Sequence, residues 1–356
     1  MGVSPPNKNQ PAHLANFDYI RLAAATAVIF SHSFLIAEGH MKNEPLARWG
    51  IYGVLVFFTI SGYLITRSAH ASQSILEYGR SRALRIYPAL IVCAAFCAAV
   101  LGSIYTRLPV ADYWMSGLPF HYVARTAAMP RNGWSIPTVF FYPGGGFLAE
   151  GINGSLWSIP QELLCYVIIG FLLVIGLLNR LAAVGAALLS LIFIFMPYPD
   201  WPRFLSDFML VSPSFAFGAA IYFVSGGRTL PAWPLLGCLA FAAFALLYRP
   251  DIRLFPLYGS YPILWIACGN SLRLPSLKGF GDISYGVYLY GWPMQQVARS
   301  LFDAPPHWSA VFALGLSSAA LAGYLSWHLV EKQALRLKRW RTGSSGLMSG
   351  AQQSMH

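Results

Sequence analysis

The sequence predicts an all-α, polytopic membrane protein, and three observations carry that expectation. Of its 356 residues, 56% are hydrophobic and only 10% are charged, whereas soluble domains average about 25% charged. Apolar runs close to the ~20 residues that cross a bilayer recur along the chain. The basic residues fall in alternate connections between those runs, so the net charge of +11 is an orientation signal and not a nucleic-acid footprint.

Residues 1–16 are polar, with Pro5, Pro6 and Pro11, and read as a disordered lead. Ten spans follow, near 17–37, 49–66, 86–106, 159–178, 181–197, 208–225, 232–248, 254–271, 283–301 and 308–330, all within one domain, 17–332. An even count puts both termini on one side. Arg67, Arg80, Arg82, Arg85, Arg180, Arg228, Arg273, Lys278, Lys332, Arg336, Lys338, Arg339 and Arg341 share that side, which makes it cytoplasmic. The tail, 333–356, is basic and then Ser/Gly-rich. Two connections exceed a turn. In 67–85, the helical spacing of Ile75, Leu76, Gly79 and Ala83 predicts a segment along the membrane surface. The outer segment 107–154, rich in proline and aromatic residues, has the length of a binding loop. The five cysteines all lie in apolar runs, which argues against a disulfide framework, and no residue spacing indicates a metal site.

The first span, FDYIRLAAATAVIFSHSFLIA, carries Asp18, Arg21 and His32. Ionisable groups inside a span need a partner, a cavity or a ligand. At about 100° per residue, the eleven-residue separation of Arg21 and His32 is close to three turns, so both project from one face, ~16 Å apart. Two readings are open at this level: an anion site with an imidazole beyond it, or a snorkelling Arg21–Asp18 pair with His32 bonded to a neighbouring helix. Arg82 and Arg85 share a helix face and read either as cytoplasmic end markers or as a forked seat for phosphate. Ser158 with Gln161 has the form of a capping box that starts the fourth span, with Glu162 just inside it. A carboxylate entering hydrocarbon is protonated, paired or facing a wet cavity, and a partnership with His32 would polarise the imidazole.

Taken together, these stretches resemble the acyltransferase-3 membrane family. The Arg21-to-His32 spacing, GVLVFFTISGYLI at 53–65, RALRIYP at 82–88, GSLWSIPQE at 154–162 and GDISYGVYLYGWP at 281–293 stand in the family's order. Gly291 stands where the late motif usually has a histidine, and the closing element reads Glu331-Lys332-Gln333. The resemblance implies a stand-alone membrane enzyme of the bacterial inner membrane. That enzyme would move an acyl group, acetyl before others, from a CoA thioester used as co-substrate to a hydroxyl of a surface or exported carbohydrate, with no tightly bound cofactor and no metal. On that basis His32 and Glu162 are the catalytic candidates, and Arg21, Arg82 and Arg85 bind the donor. Asp18, Ser155 and Trp157 line the cavity or meet the acceptor. The competing reading from another class, a proton-coupled carrier or flippase, also accounts for buried Arg, His and Glu, but the chain has no visible repeated halves.

Overall fold

The computed structural model describes residues 15–38, 48–128, 135–139, 151–196, 201–269, 274–275 and 279–337. The lead before residue 15, the tail beyond 337, Gly144 to Gly146 of the outer segment, and the basic residues Arg273 and Lys278 lie outside them.

The described chain is helical: α1 Ala15–Glu38, α2 Trp49–Ala71, α3 Ile75–Phe96, α4 Val110–Met115, α5 Leu118–Ala128, α6 Ile159–Val174, α7 Arg180–Phe195, α8 Arg203–Ser225, α9 Pro234–Tyr248, α10 Phe255–Cys268, α11 Ser284–Ser300 and α12 Trp308–Ser326. Helix α3 continues through a widened turn, Cys97–Leu101, to Tyr105, and α12 continues likewise through Trp327–Glu331 to Arg336. Six of these units are long and apolar enough to cross a membrane, those built on α1, α2, α3, α6, α8 and α12. The four remaining predicted spans coincide with α7, α9, α10 and α11, which are shorter. The five cysteines are free thiols.

Close approach of backbones organises the bundle. A Cβ on Gly62 of α2 would fall 2.0 Å from the Phe215 carbonyl oxygen of α8, and one on Gly218 would fall 2.2 Å from that of Thr59. Small residues let helices meet this closely where hydrophobic burial cannot drive association, because lipid is as apolar as the partner helix. Gly286 and Gly323 do the same for α11 and α12. Helix α1 packs against α2, α11 and α12.

Two sequence expectations are corrected. The 67–85 segment is not a long connection: α2 runs on to Ala71, α3 starts at Ile75, and only three residues connect them. The start of α3 is set by a reciprocal cap, in which the Ser74 hydroxyl accepts from the Glu77 N–H and the Glu77 carboxylate accepts from the Gln73 N–H. Ser158, by contrast, makes no capping bond. Pro160 stands in the first turn of α6 and is tolerated there because the first N–H groups have no helical partner. Asn153 caps the preceding 3₁₀ turn, Gly154–Ser158, through Oδ1.

Candidate active site

The residues just before α6 enter the bundle. Pro293 has no N–H, so within α11 the Leu289 carbonyl loses its usual helical donor. Asn153 Nδ2 fills that gap at 3.0 Å. Trp292 Nε1 and Gln296 Nε2 of α11 both donate to the Gly151 carbonyl, at 2.7 and 2.9 Å. The Tyr288 hydroxyl donates to the Ser155 carbonyl and receives from Ser158, each at 2.7 Å. The returning outer segment is thereby fastened along α11, and α6 begins inside the molecule.

Below this turn lies a cavity of about 280 Å³ between α2, α3, α6 and α11. Arg82, Arg85, Arg21 and Leu335 lie toward one end, Ser61 and Glu162 in the middle, and Ser158, Tyr288, Phe57 and Val54 toward the other. Glu162 Oε1 accepts from Ser61 Oγ at 2.8 Å and from the Tyr166 hydroxyl at 2.6 Å. Tyr166 is steadied in turn, its carbonyl accepting from the Tyr78 hydroxyl at 3.0 Å.

The three predicted donor-binding arginines have unlike surroundings. Asp282 Oδ2 meets Arg21 Nη1 at 3.1 Å and Arg85 Nη2 at 2.5 Å, while Arg85 Nη1 reaches Glu331 at 3.3 Å. Arg85 also lies over the Tyr285 and Trp327 rings. Its guanidinium is thus committed to two carboxylates. Among the described residues, Arg82 bonds only hydroxyls, those of Ser81 and Ser68, both at 3.2 Å. Asp282 lies outside the spans. Burial would raise its carboxyl, but Arg85 and Arg21 overcome this, with help from Ser284, and hold it at about 2. Gly281 makes the turn into this site: its φ of +80° and the Trp327 ring, 1.8 Å from where a Cβ would be, leave room for no side chain.

The structure does not bring the two predicted catalytic residues together. Among the described residues, neither ring nitrogen of His32 has a hydrogen-bond partner, and Nδ1 is inaccessible to solvent. The ring stands edge-on to Trp292, centroids 4.8 Å apart. Glu162 is engaged by Ser61 and Tyr166 instead. Asp18 lies within electrostatic reach of Asp282, Arg21 and Arg85. Neither it, nor buried Ser155, nor half-buried Trp157 lines the cavity. A Cβ on Gly291 would sit 2.8 Å from Ile29, so this position is where α11 packs against α1. Sequence reasoning missed Asp282, Ser61 and Tyr166. The single available signal was the partly buried pair Arg21 and Arg85, which require counter-charges.

A helical membrane bundle with a carboxylate-bearing cavity and a half-buried imidazole that has no hydrogen-bond partner among the described residues is the frame of an integral membrane enzyme. The chain belongs to the acyltransferase-3 family, whose acyltransferase domain matches residues 14–327. It is 31% identical over 345 residues to an O-acetyl transferase of Shigella phage Sf6, covering 91% of this chain and 97% of that one. It is 27% identical over 370 residues to nodulation protein 10 of Rhizobium leguminosarum bv. viciae, covering 94% and 97%. No solved structure matches. The protein is therefore a membrane O-acyltransferase.

Proposed function

We propose that the enzyme transfers an acetyl group from acetyl-CoA to a hydroxyl of a cell-surface or exported carbohydrate in the bacterial inner membrane. The observation that carries this reading is the cavity with Arg82 at one end and Glu162 at its centre. The donor's phosphates rest at the Arg82 end on the cytoplasmic side, and its thin arm runs inward past Glu162. The carbohydrate arrives from the opposite face, where the 107–154 segment is available to hold it. His32 takes the proton of the acceptor hydroxyl as the new C–O bond forms. The C–S bond breaks, and the thiolate leaves and takes up a proton in turn. The name of the phage relative supports acetyl as the group carried. Purified protein with acetyl-labelled CoA and extracted glycan acceptors tests the reading: label appears in an alkali-labile ester, and mass spectrometry of surface glycans loses the same acetyl when the gene is deleted. Acceptor crossing into vesicles without chemical change would identify a carrier instead.

The two arginines of the RALR element have different jobs in this reading. Arg82→Lys keeps a charge and loses the fork, so donor KM rises severalfold with little change in stability. Arg85→Lys weakens the bonds to Asp282 and Glu331 and lowers thermal stability more than it raises KM. Equal effects of the two on KM would show that both meet the donor.

The ten-span arrangement, with both termini cytoplasmic, belongs to the same proposal. Cysteine-free protein carrying either Gly79→Cys or Met115→Cys checks it, since both positions are exposed. An impermeant thiol reagent labels them from opposite faces; labelling from one face overturns the topology.

A further inference from the structure

The mid-cavity cluster carries an inference about how the donor is held, and it rests on the reading that the donor is an acyl-CoA. Both hydrogen bonds that Glu162 receives go to Oε1. Among the described residues Oε2 has no partner, and Glu162 lines the cavity. Two hydroxyls from separate elements, Ser61 on α2 and Tyr166 one turn along α6, therefore fix the carboxylate's rotation and leave one oxygen presented to whatever occupies the space. The walls there are mostly apolar or aromatic, including Phe57, Phe58, Leu64, Ile65 and Ile159. A chain carrying amide N–H groups would lose its water on entering and need an acceptor. In an acyl-CoA, the arm between phosphate and sulfur carries two such amides. Glu162 lies between the arginine end and the Ser158–Tyr288 end, where that arm must pass.

We infer that Ser61 and Tyr166 are positioning residues that aim Glu162 Oε2 at an amide N–H of the donor's arm. No bond is made or broken by these three; they set donor affinity and its register toward the reacting end. A charge-assisted hydrogen bond is worth more than a neutral one, so Glu162→Gln raises donor KM about tenfold, and Tyr166→Phe, which loses only the aim, raises it about fivefold.

The test is a double-mutant cycle read in donor KM and kcat with the full-length protein. Tyr166→Phe and Ser61→Ala raise KM in the parent while kcat at saturating donor changes little, and both effects disappear in the Glu162→Gln background, because neither hydroxyl then has a carboxylate to aim. A packing defect would add to the Glu162→Gln effect and lower thermal stability. Additive KM effects, or a loss of kcat with KM unchanged, overturn the inference while leaving acyl transfer standing. A parent enzyme that does not consume acyl-CoA overturns both. Ser61→Thr, which keeps the hydroxyl, restores most of the affinity lost in Ser61→Ala; failure to do so also counts against the assignment.

Discussion

His32→Ala abolishes acyl transfer and leaves the protein folded. Loss of a positioned general base typically lowers rate by ~10²–10⁴-fold, and at Gly291, where the family's late motif usually has a histidine, α11 instead packs on Ile29. The structural cost is small because, among the described residues, His32 leaves no hydrogen-bond partner behind. What is lost is an edge contact with Trp292, worth about 1 kcal/mol for an aromatic pair. The check is acceptor acylation beside a detergent melting curve. Unchanged acylation by a normally expressed variant would remove His32 from the mechanism; a melting temperature far below the parent's would make it a packing residue.

Asp282→Asn has the larger effect on stability. Its carboxyl is held at about 2 in the folded protein; at about 1.4 kcal/mol per tenfold change in proton affinity, that depression is worth roughly 2–3 kcal/mol. The sign follows from the depression: the contribution is fully present above the ordinary carboxylate range near pH 4 and fades as pH falls toward 2. At pH 7 the Asn variant therefore melts well below the parent, and the gap narrows below pH 4. The charge argument points the same way, because Arg21 and Arg85 lose the oxygen they share. An equal gap at pH 7 and pH 3 would show that the side chain's shape matters and its charge does not.

Which parts of this were legible in advance follows from the range of each signal. Arg21 and Glu162 stand out because ions are costly in apolar runs, and Arg82 and Arg85 because they share a helix face at a span end; both signals are local to the sequence. Their partners are not local. Asp282 lies in a Gly-rich turn 261 positions from Arg21, and Ser61 is an ordinary serine until α6 lays Glu162 beside it. Hydropathy marked where apolar helices occur. It could not show that α6 begins inside the molecule, because a turn fed by side-chain hydrogen bonds leaves no apolar gap to count. The Ser158–Gln161 spacing imitated a cap, but the Ser158 hydroxyl goes to Tyr288 in another helix.

Helix α11 makes its contacts in an unusual currency. Tyr285 donates to the Ile86 carbonyl, Tyr288 to that of Ser155, Trp292 and Gln296 to that of Gly151, and Gln295 to that of Ile29. Every one of these acceptors is main chain. A carbonyl is present whatever side chain its residue bears, so the surrounding helices are free to exchange side chains at those positions without losing the bond, while α11 is not. The molecule thus has a fixed strip of donors along α11, around which the side chains of its neighbours can drift.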